Sequence, residues 1–422
     1  MSEAAAPKRR GIASVLGGGV VTGAADDDPS AIGTYASAGA KYGLGFLWIA
    51  PVLLPMMYVV VYLSAKLGRV YGKGLFAAIR DRYPRWLLYP LMIGAFTGNI
   101  IEAAANLGGM GAAINLIAPV PVPAIVAGVA VAVVLLQLFG SYDLIRRIFR
   151  WLALILFAYV AAAILARPNL TAVLHGTFVP HMGGDSEFLM LIVACIGTSL
   201  SAYVYTWQSN QEVEEQIAEG KTRWQQRRGA SRAELTRTRR DVISGMIFSN
   251  VILYFIILST GATLHAAGQT DIDSAAQAAA ALEPLAGQWA KYLFAAGVIG
   301  VGFLAVPVMT TGAAYDLVQG VGGTGNLHKR FTEAKLFYAV IVLVTMIAVG
   351  LNFVGFNPMR ALVWSGVVQG FSVPPLLLVM MLMTNDKAMM HDRPNGVLTN
   401  ILGWGTTAVT FAATGCLVAS WL

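Results

Sequence analysis

The sequence predicts an all-α integral membrane protein with eleven transmembrane helices, the first and sixth of them broken. Three observations predict it. The 422 residues are 57% apolar and only 12% charged, with a mean hydropathy of +0.65, whereas a soluble domain carries roughly 25% charged residues. The apolar runs are about 20 residues long, which suits a helix across a bilayer and exceeds a barrel strand. Three acids followed by a proline, Asp26, Asp27, Asp28 and Pro29, interrupt the first of those runs.

Span 1 covers 13–43 and breaks at Asp26–Ser30, because proline ends one helix and opens another. Spans 2 to 5 follow at 46–66, 87–116, 121–139 and 149–166. Span 6, at 187–207, is broken in the run GTSLSAY (197–203), which is small and hydroxyl-rich. Spans 7 to 11 lie at 242–266, 287–319, 333–354, 359–384 and 397–420. The longest of these are tilted, kinked or extended into the interface. Residues 1–12 form an N-terminal segment without a signal-peptide pattern. The polar segment 208–241, rich in Arg, Gln and Glu, reads as a solvated helix-loop tethering two spans.

Basic residues set the orientation. With the N-terminus inside, all 29 Lys and Arg residues fall on cytoplasmic segments except Lys41, Arg167, Lys291 and Arg360. The C-terminus is then outside. The net charge of +7 is thus explained by topology, and nucleic acid is not implied as a partner. Span 6 lies five spans after span 1, an odd number, so the second five-helix unit (187–384) is inverted relative to the first (13–166). Paired broken helices in inverted repeats point to a transport site at the midplane. The predicted architecture is the LeuT type, five plus five, with span 11 (397–420) appended.

The candidate site starts at the first break. Carboxylates inside a span are costly and seldom decorative. Asp28 suits the cap before Pro29, but capping explains one aspartate and leaves two. The half-helix ending there offers free carbonyls and the negative end of its dipole. Carboxylates and carbonyls together make an oxygen-rich cation site, with Asp28 first in line and Asp26 and Asp27 beside it. Glu102, in GNIIEAAANLGGMG of span 3, is a lone acid among small residues and faces the bundle interior. It is either a second charge on the ion path or a hydrogen-bonding structural acid. Asn99 shares its face. Thr198, Ser199, Ser201 and Tyr203 of span 6 either bond back to their own helix or reach the ion, directly or through water.

Other chemistry is excluded. The five histidines, His175, His181, His265, His328 and His391, avoid span centres, so no imidazole relays a proton at the membrane centre. No methionine lies in either break, so a soft ligand is missing there. Cys195 and Cys416 both fall inside spans and make neither a disulfide framework nor a zinc site. There is no P-loop and no nucleophile with a base. The GGG at 17–19 serves close packing.

DPSAIGTYASAGAKYG (28–43) resembles the first-span motif of the Nramp family of divalent-metal transporters, which begins Asp-Pro-Gly-Asn and ends in a similar Ala-Gly-Ala-x-Tyr-Gly. GKGLFAAIRDRYPRW (72–86), RALVWSGVV (360–368) and LMTNDKAMM (382–390) resemble the loop after span 2, span 10 and its exit. The resemblance covers nearly the whole chain and implies a metal ligand at Asp28. It also locates the departures. The family asparagine becomes Ala31, one residue after Ser30. Met-Pro-His becomes Ser201-Ala202-Tyr203, and a glutamine position is taken by Gly366. Each change removes a ligand or proton carrier and keeps the carboxylate. Mg²⁺ sheds water reluctantly, so a roomier, all-oxygen site suits it partly hydrated. The pattern is similar to the Nramp-related magnesium transporters. The resemblance therefore implies a multi-pass transporter of the bacterial inner membrane that imports Mg²⁺, with Mn²⁺ as second ion, by alternating access and without proton coupling. Asp28 would be the main ligand, with Asp26, Asp27, Glu102, Thr198 and Ser201 supporting it, and with Asn99, Ser30, Ala31, Tyr203 and Gly366 along the ion path. It implies no cofactor, no enzyme activity and no obligate protein partner beyond the lipid bilayer. The competing reading is a proton-coupled Mn²⁺/Fe²⁺ symporter.

Overall fold

A computed structural model describes residues 18–139, 156–323, 325 and 331–422. The predicted segment 1–12, positions 13–17 of span 1 and 149–155 of span 5 lie outside the described residues. So do the basic residues Lys8, Arg9, Arg10, Arg146, Arg147, Arg150, Lys329 and Arg330. Every regular element among the described residues is helical.

The first apolar run is two half-helices, α1 (Gly18–Asp26) and α2 (Pro29–Tyr42). Asp28 is extended and caps α2, its Oδ1 accepting the Ala31 N–H at 2.7 Å, and Pro29 occupies the first helical position. The sixth run breaks likewise, into α8 (Ser186–Ser199) and α9 (Ala202–Ala218), with Ser201 between them. The unbroken helices are α3 (Ile49–Tyr71), α5 (Arg85–Asn115), α6 (Val122–Phe139), α10 (Arg232–Thr260), α11 (Ala290–Gly320), α12 (Lys335–Asn352), α13 (Pro358–Asn385) and α14 (Val397–Trp421). A short helix, α4 (Leu75–Arg82), lies between α3 and α5, and α7 (Phe157–Leu165) follows α6. Eight helices among the described residues are long and apolar enough to cross a membrane, counting α8 and α9 as one.

Tight helix contacts aim the two breaks at each other. Gly197 of α8 lies against Gly366 and Gly370 of α13, so closely that a side chain at Gly197 would collide with that backbone. Small residues permit this approach in a membrane bundle. α5 runs along α11 and α13, α1 lies on α10, and α9 on α3. Loops assigned to one membrane face meet at one end of the bundle: Arg82 pairs with Asp386, Arg393 Nε donates to Ala230 O, and Trp224 Nε1 to Tyr71 O. Those assigned to the other face meet at the opposite end, where Lys41 pairs with Glu187 and Asp271, and Arg360 with Asp273.

One expectation needs correction. The polar segment beginning at Gln208 was expected to be solvated, yet Gln208, Ser209, Asn210, Glu212, Glu214 and Gln216 are buried on α9. The reason is polar complementarity. Arg69 of α3 pairs with Glu212 at 2.6 Å and Glu215 at 2.7 Å, Gln216 donates to Gly68 O, and Thr22 of α1 donates to Gln208. The helix stays inside the bundle because its polar groups find partners there.

Candidate metal centre

Ser30, on the first turn of α2, is the junction of the site. Its Oγ stands 2.7 Å from Asp28 Oδ1, 3.2 Å from Glu102 Oε1 and 3.0 Å from Thr198 Oγ1. Four elements therefore converge there: the first break, α5, α8 and, through Ser201, the second break. Ser201 Oγ donates to Glu102 Oε1 at 2.9 Å and also lies near the carbonyls of Gly197 and Thr198. The hydroxyl contacts its own helix, as the back-bonding reading expects, and also reaches the Glu102 carboxylate. Tyr203, in the first turn of α9, contributes its OH 2.8 Å from Ala25 O and 3.2 Å from Asp28 Oδ2. All these residues are buried.

The two acids are met by neutral donors. Asp28 is bonded by Ser30, the Ala31 N–H, Asn106 Nδ2 at 3.0 Å and Tyr203. Glu102 is bonded by Ser30, Ser201 and Gln369 Nε2, the last at 2.6 Å. None of these partners is Lys, Arg or His. Among the described residues no group of three His, Cys, Asp or Glu is arranged to hold a metal. The available donors are thus two carboxylates surrounded by hydroxyls, amides and backbone carbonyls. Such a set is hard and oxygen-based, as Mg²⁺, Ca²⁺ or Mn²⁺ prefers.

Not every expected residue arrives here. Asp26 and Asp27 turn to α10, where Ser249 Oγ lies 2.9 Å from Asp26 Oδ2 and 2.8 Å from Asp27 Oδ1. Ala31 contributes its backbone N–H. Asn99 sits one contact beyond, bonded by Gln369 at 3.2 Å. Gly366, expected on the ion path, packs instead on α8, and a Cβ there would lie 2.7 Å from Ala194 O. The glutamine that does reach the site is Gln369, three residues on.

Sequence reasoning missed Asn106, Gln369 and Met309. Asn106 accepts the Ser30 N–H at 2.8 Å and donates to Asp28, so it ties both sides of the break to α5. Its signal was present: 99, 102 and 106 share one helical face. Met309 of α11 comes within 3.1 Å of Asn106 Nδ2, so a thioether adjoins the site although neither break contains one. No local pattern announced it, because α11 is distant in sequence.

Residues 19–420 match the profile of the natural resistance-associated macrophage protein-like (Nramp) family. The divalent metal cation transporter MntH of Klebsiella pneumoniae subsp. pneumoniae is 28% identical over 398 residues, 93% of this chain and 90% of that protein. MntH of Deinococcus radiodurans is 28% identical over 419 residues, 97% of this chain and 90% of that protein. Among solved structures, the Eremococcus coleocola manganese transporter superposes with a TM-score of 0.72 at 17% identity, covering 97% of this chain and 87% of that one. The nucleobase-cation-symport transporter Mhp1 superposes with a TM-score of 0.58 at 12% identity, covering 95% and 92%. The LeuT-type arrangement is therefore the fold of this chain.

Proposed function

The chain belongs to the Nramp family, a family of transporters and not of enzymes, and from that premise we propose that it imports Mg²⁺, with Mn²⁺ as a second substrate, across a bacterial inner membrane. The observation that carries the reading is the Ser30 junction, where Asp28, Glu102 and Thr198 come within hydrogen-bond distance of one hydroxyl. By the resemblance of the second break to the family motif, Ser201 and Tyr203 would take the places of its methionine and histidine. A dication competes with the O–H and N–H donors for the same carboxylate lone pairs. It gains what neutral donors do not give, compensation of charge. Mg²⁺ keeps several waters when bound, and hydroxyls such as those of Ser30, Thr198 and Ser201 can hold waters as well as the ion.

The fold supports alternating access as the mechanism. The breaks let α1 and α9 move apart from α2 and α8 while the site stays at the midplane. With the basic loops cytoplasmic, the membrane potential drives the ion inward. Two charges gain about 4.6 kcal/mol per 100 mV, so no proton is required. Asp28 is the principal ligand and Glu102 the second charge. Asp26 and Asp27 add negative potential from behind the first break. No cofactor and no protein partner enter this scheme.

One observation favours the alternative, proton-coupled carriage of Mn²⁺ or Fe²⁺: the Met309 thioether beside Asn106 is a soft donor within a short rearrangement of the site. The experiment is uptake of Mg²⁺ and Mn²⁺ into proteoliposomes, with and without a pH gradient, with a lumenal pH dye. Mg²⁺ uptake driven by potential at constant lumenal pH supports the proposal. Lumenal acidification that follows metal uptake refutes the uncoupled mechanism, and Mn²⁺ uptake insensitive to excess Mg²⁺ refutes the substrate.

A further inference from the structure

Beyond the break, the site continues into a second buried polar cluster that the transport reading does not use. Gln369 of α13 bonds Glu102 with Nε2 at 2.6 Å and also reaches Asn99 Oδ1 at 3.2 Å. Asn99 Nδ2 in turn donates to Asp316 Oδ2 of α11 at 3.0 Å. Asp316 is fully buried, and its other oxygen, Oδ1, has no hydrogen-bond partner. It is not alone in this. Thr206 and Tyr205 of α9 neighbour the same carboxylate. Both are buried; the Thr206 hydroxyl faces Asp316 as a hydrogen-bonding neighbour, and the Tyr205 OH has no hydrogen-bond partner among the described residues. Asp316 Oδ1 and the Tyr205 OH are thus left without a close partner among the described residues, inside a bundle where buried polar atoms are nearly always satisfied.

The position of the cluster is informative. Thr206 lies four residues past the start of α9, about 6 Å from the break along the helix. Asp316 is four residues before the end of α11, again about 6 Å. Past it stand Gln319 and Asn210, joined at 2.6 Å, and Arg80, whose Nη1 donates to Gln319 O at 2.6 Å. The cluster therefore sits between the break and the basic end of the bundle. Among the described residues no Lys, Arg or His bonds Asp316. Its recorded partners are a neutral amide and a hydroxyl, as for Asp28 and Glu102.

We propose that Asp316, with the hydroxyls of Thr206 and Tyr205, forms a second cation site on the inward path, which takes the divalent ion after it leaves Asp28 and Glu102. The inference rests on the divalent-transport reading. Asp316 supplies the charge and an oxygen without a close partner, and the Thr206 and Tyr205 hydroxyls supply further oxygen donors beside it. Asn99 and Gln369 link the two sites, so an ion moving from Glu102 to Asp316 passes along amide oxygens and stays out of bare hydrocarbon. Two weaker sites in series also permit release better than one deep site does.

The test uses the full-length chain with Mn²⁺ as the probe. Because Asp316 acts after the first binding step, Asp316→Asn lowers maximal Mn²⁺ uptake in proteoliposomes at least tenfold while half-saturation from outside stays within twofold. Asp316→Glu, which keeps the charge, recovers a substantial part of that rate. In detergent, the electron paramagnetic resonance of Mn²⁺ reports one ion still bound to Asp28→Ala, and that ion is lost in Asp28→Ala/Asp316→Asn. Uptake by Asp316→Asn at the wild-type rate would overturn the proposal. So would a changed half-saturation with an unchanged maximum, or Asp28→Ala protein that binds no Mn²⁺. The binding measurement on Asp28→Ala stands even where Asp316→Asn does not fold. Failure of the transport reading itself appears separately, as absence of divalent uptake by the wild-type protein.

Discussion

Two buried groups of acids, one at the helix breaks and one at the basic end of α9, solve the same electrostatic problem in opposite ways. Glu212 lies 4% exposed, yet Arg69 Nε meets it at 2.6 Å, and the same guanidinium reaches Glu215. Asp28 and Glu102 are at 0% exposure, and their hydrogen-bond partners among the described residues are hydroxyls, amides and a backbone N–H group. A guanidinium matches a carboxylate in charge and geometry, so Glu212 has no further need of a cation. A neutral donor satisfies a lone pair and leaves the charge. The first arrangement ties α3 to α9. The second leaves negative potential for something that arrives. Burial of acids alone therefore does not mark a site, but burial of acids without a built-in base does.

The largest effect that can break this contrast is on transport. Asp28→Ala removes the carboxylate shared by Ser30, Asn106 and Tyr203 and is expected to reduce divalent uptake roughly a hundredfold or more, equivalent to about 2.7 kcal/mol. Denaturation in detergent should change far less, because no base is left unpaired. Uptake within a few-fold of wild type would mean that the break acids are structural like Glu212.

The complementary substitution is Arg69→Met. It keeps most of the apolar stem and strands Glu212, with Glu215 losing its partner as well. Leaving one member of a buried pair uncompensated costs about 3–5 kcal/mol, seen as an early thermal transition of the solubilised protein. Adding Glu212→Gln should recover part of the loss. A wild-type transition for Arg69→Met would show that water already reaches this pair, and the contrast would then rest on exposure and not on charge.

How much of this was legible in the sequence depended on the range of the signal. The breaks were legible because their causes are local: Pro29 after Asp28, and a hydroxyl-rich run at 197–203, where α8 stops at Ser199 and α9 starts at Ala202. Glu102 was legible because a lone acid in an apolar helix is conspicuous. The fate of Asp26 and Asp27 was not, since three adjacent residues at a break project in different directions and only packing decides which way. Ser249, which takes both, lies over 220 positions away. Gln369 was hidden behind Gly366, because the two lie three residues apart, about one turn of α13, and only packing decides which of them meets Glu102. The buried polar face of α9 misled for a related reason. Composition signals solvent, whereas Arg69 and Thr22, which hold that face inside, belong to other helices.

A smaller effect sharpens the contrast at the site itself. Ser201 Oγ reaches Glu102, and Ser201→Met would place a thioether where the hydroxyl is. Softer Mn²⁺ should gain over Mg²⁺, by about tenfold in the ratio of uptake rates, or about 1.4 kcal/mol. Competition of Mg²⁺ against Mn²⁺ uptake measures it. An unchanged ratio would show that selectivity is set by the carboxylates alone.

The smallest effect is a control on the meaning of an ion pair. Arg82 and Asp386 meet at 2.7 Å at the same basic end as Arg69, but the Arg82 side chain is 54% exposed. Arg82, with the Ala388 N–H, holds the Asp386 carboxyl below its usual range. A depressed carboxylate adds stability above the ordinary carboxylate range, and that stability fades as pH falls through the lowered value. Exposed pairs are screened by water and salt. Arg82→Ala should therefore leave the thermal transition at neutral pH unmoved within error, where Arg69→Met moves it by many degrees. Two pairs of similar length at one end of one bundle would then differ only in solvent access. If Arg82→Ala proved as damaging as Arg69→Met, the tie between α4 and the end of α13 would itself be a structural requirement. The distinction between compensated and uncompensated acids would then have to be sought along the helices, not between the surface and the interior.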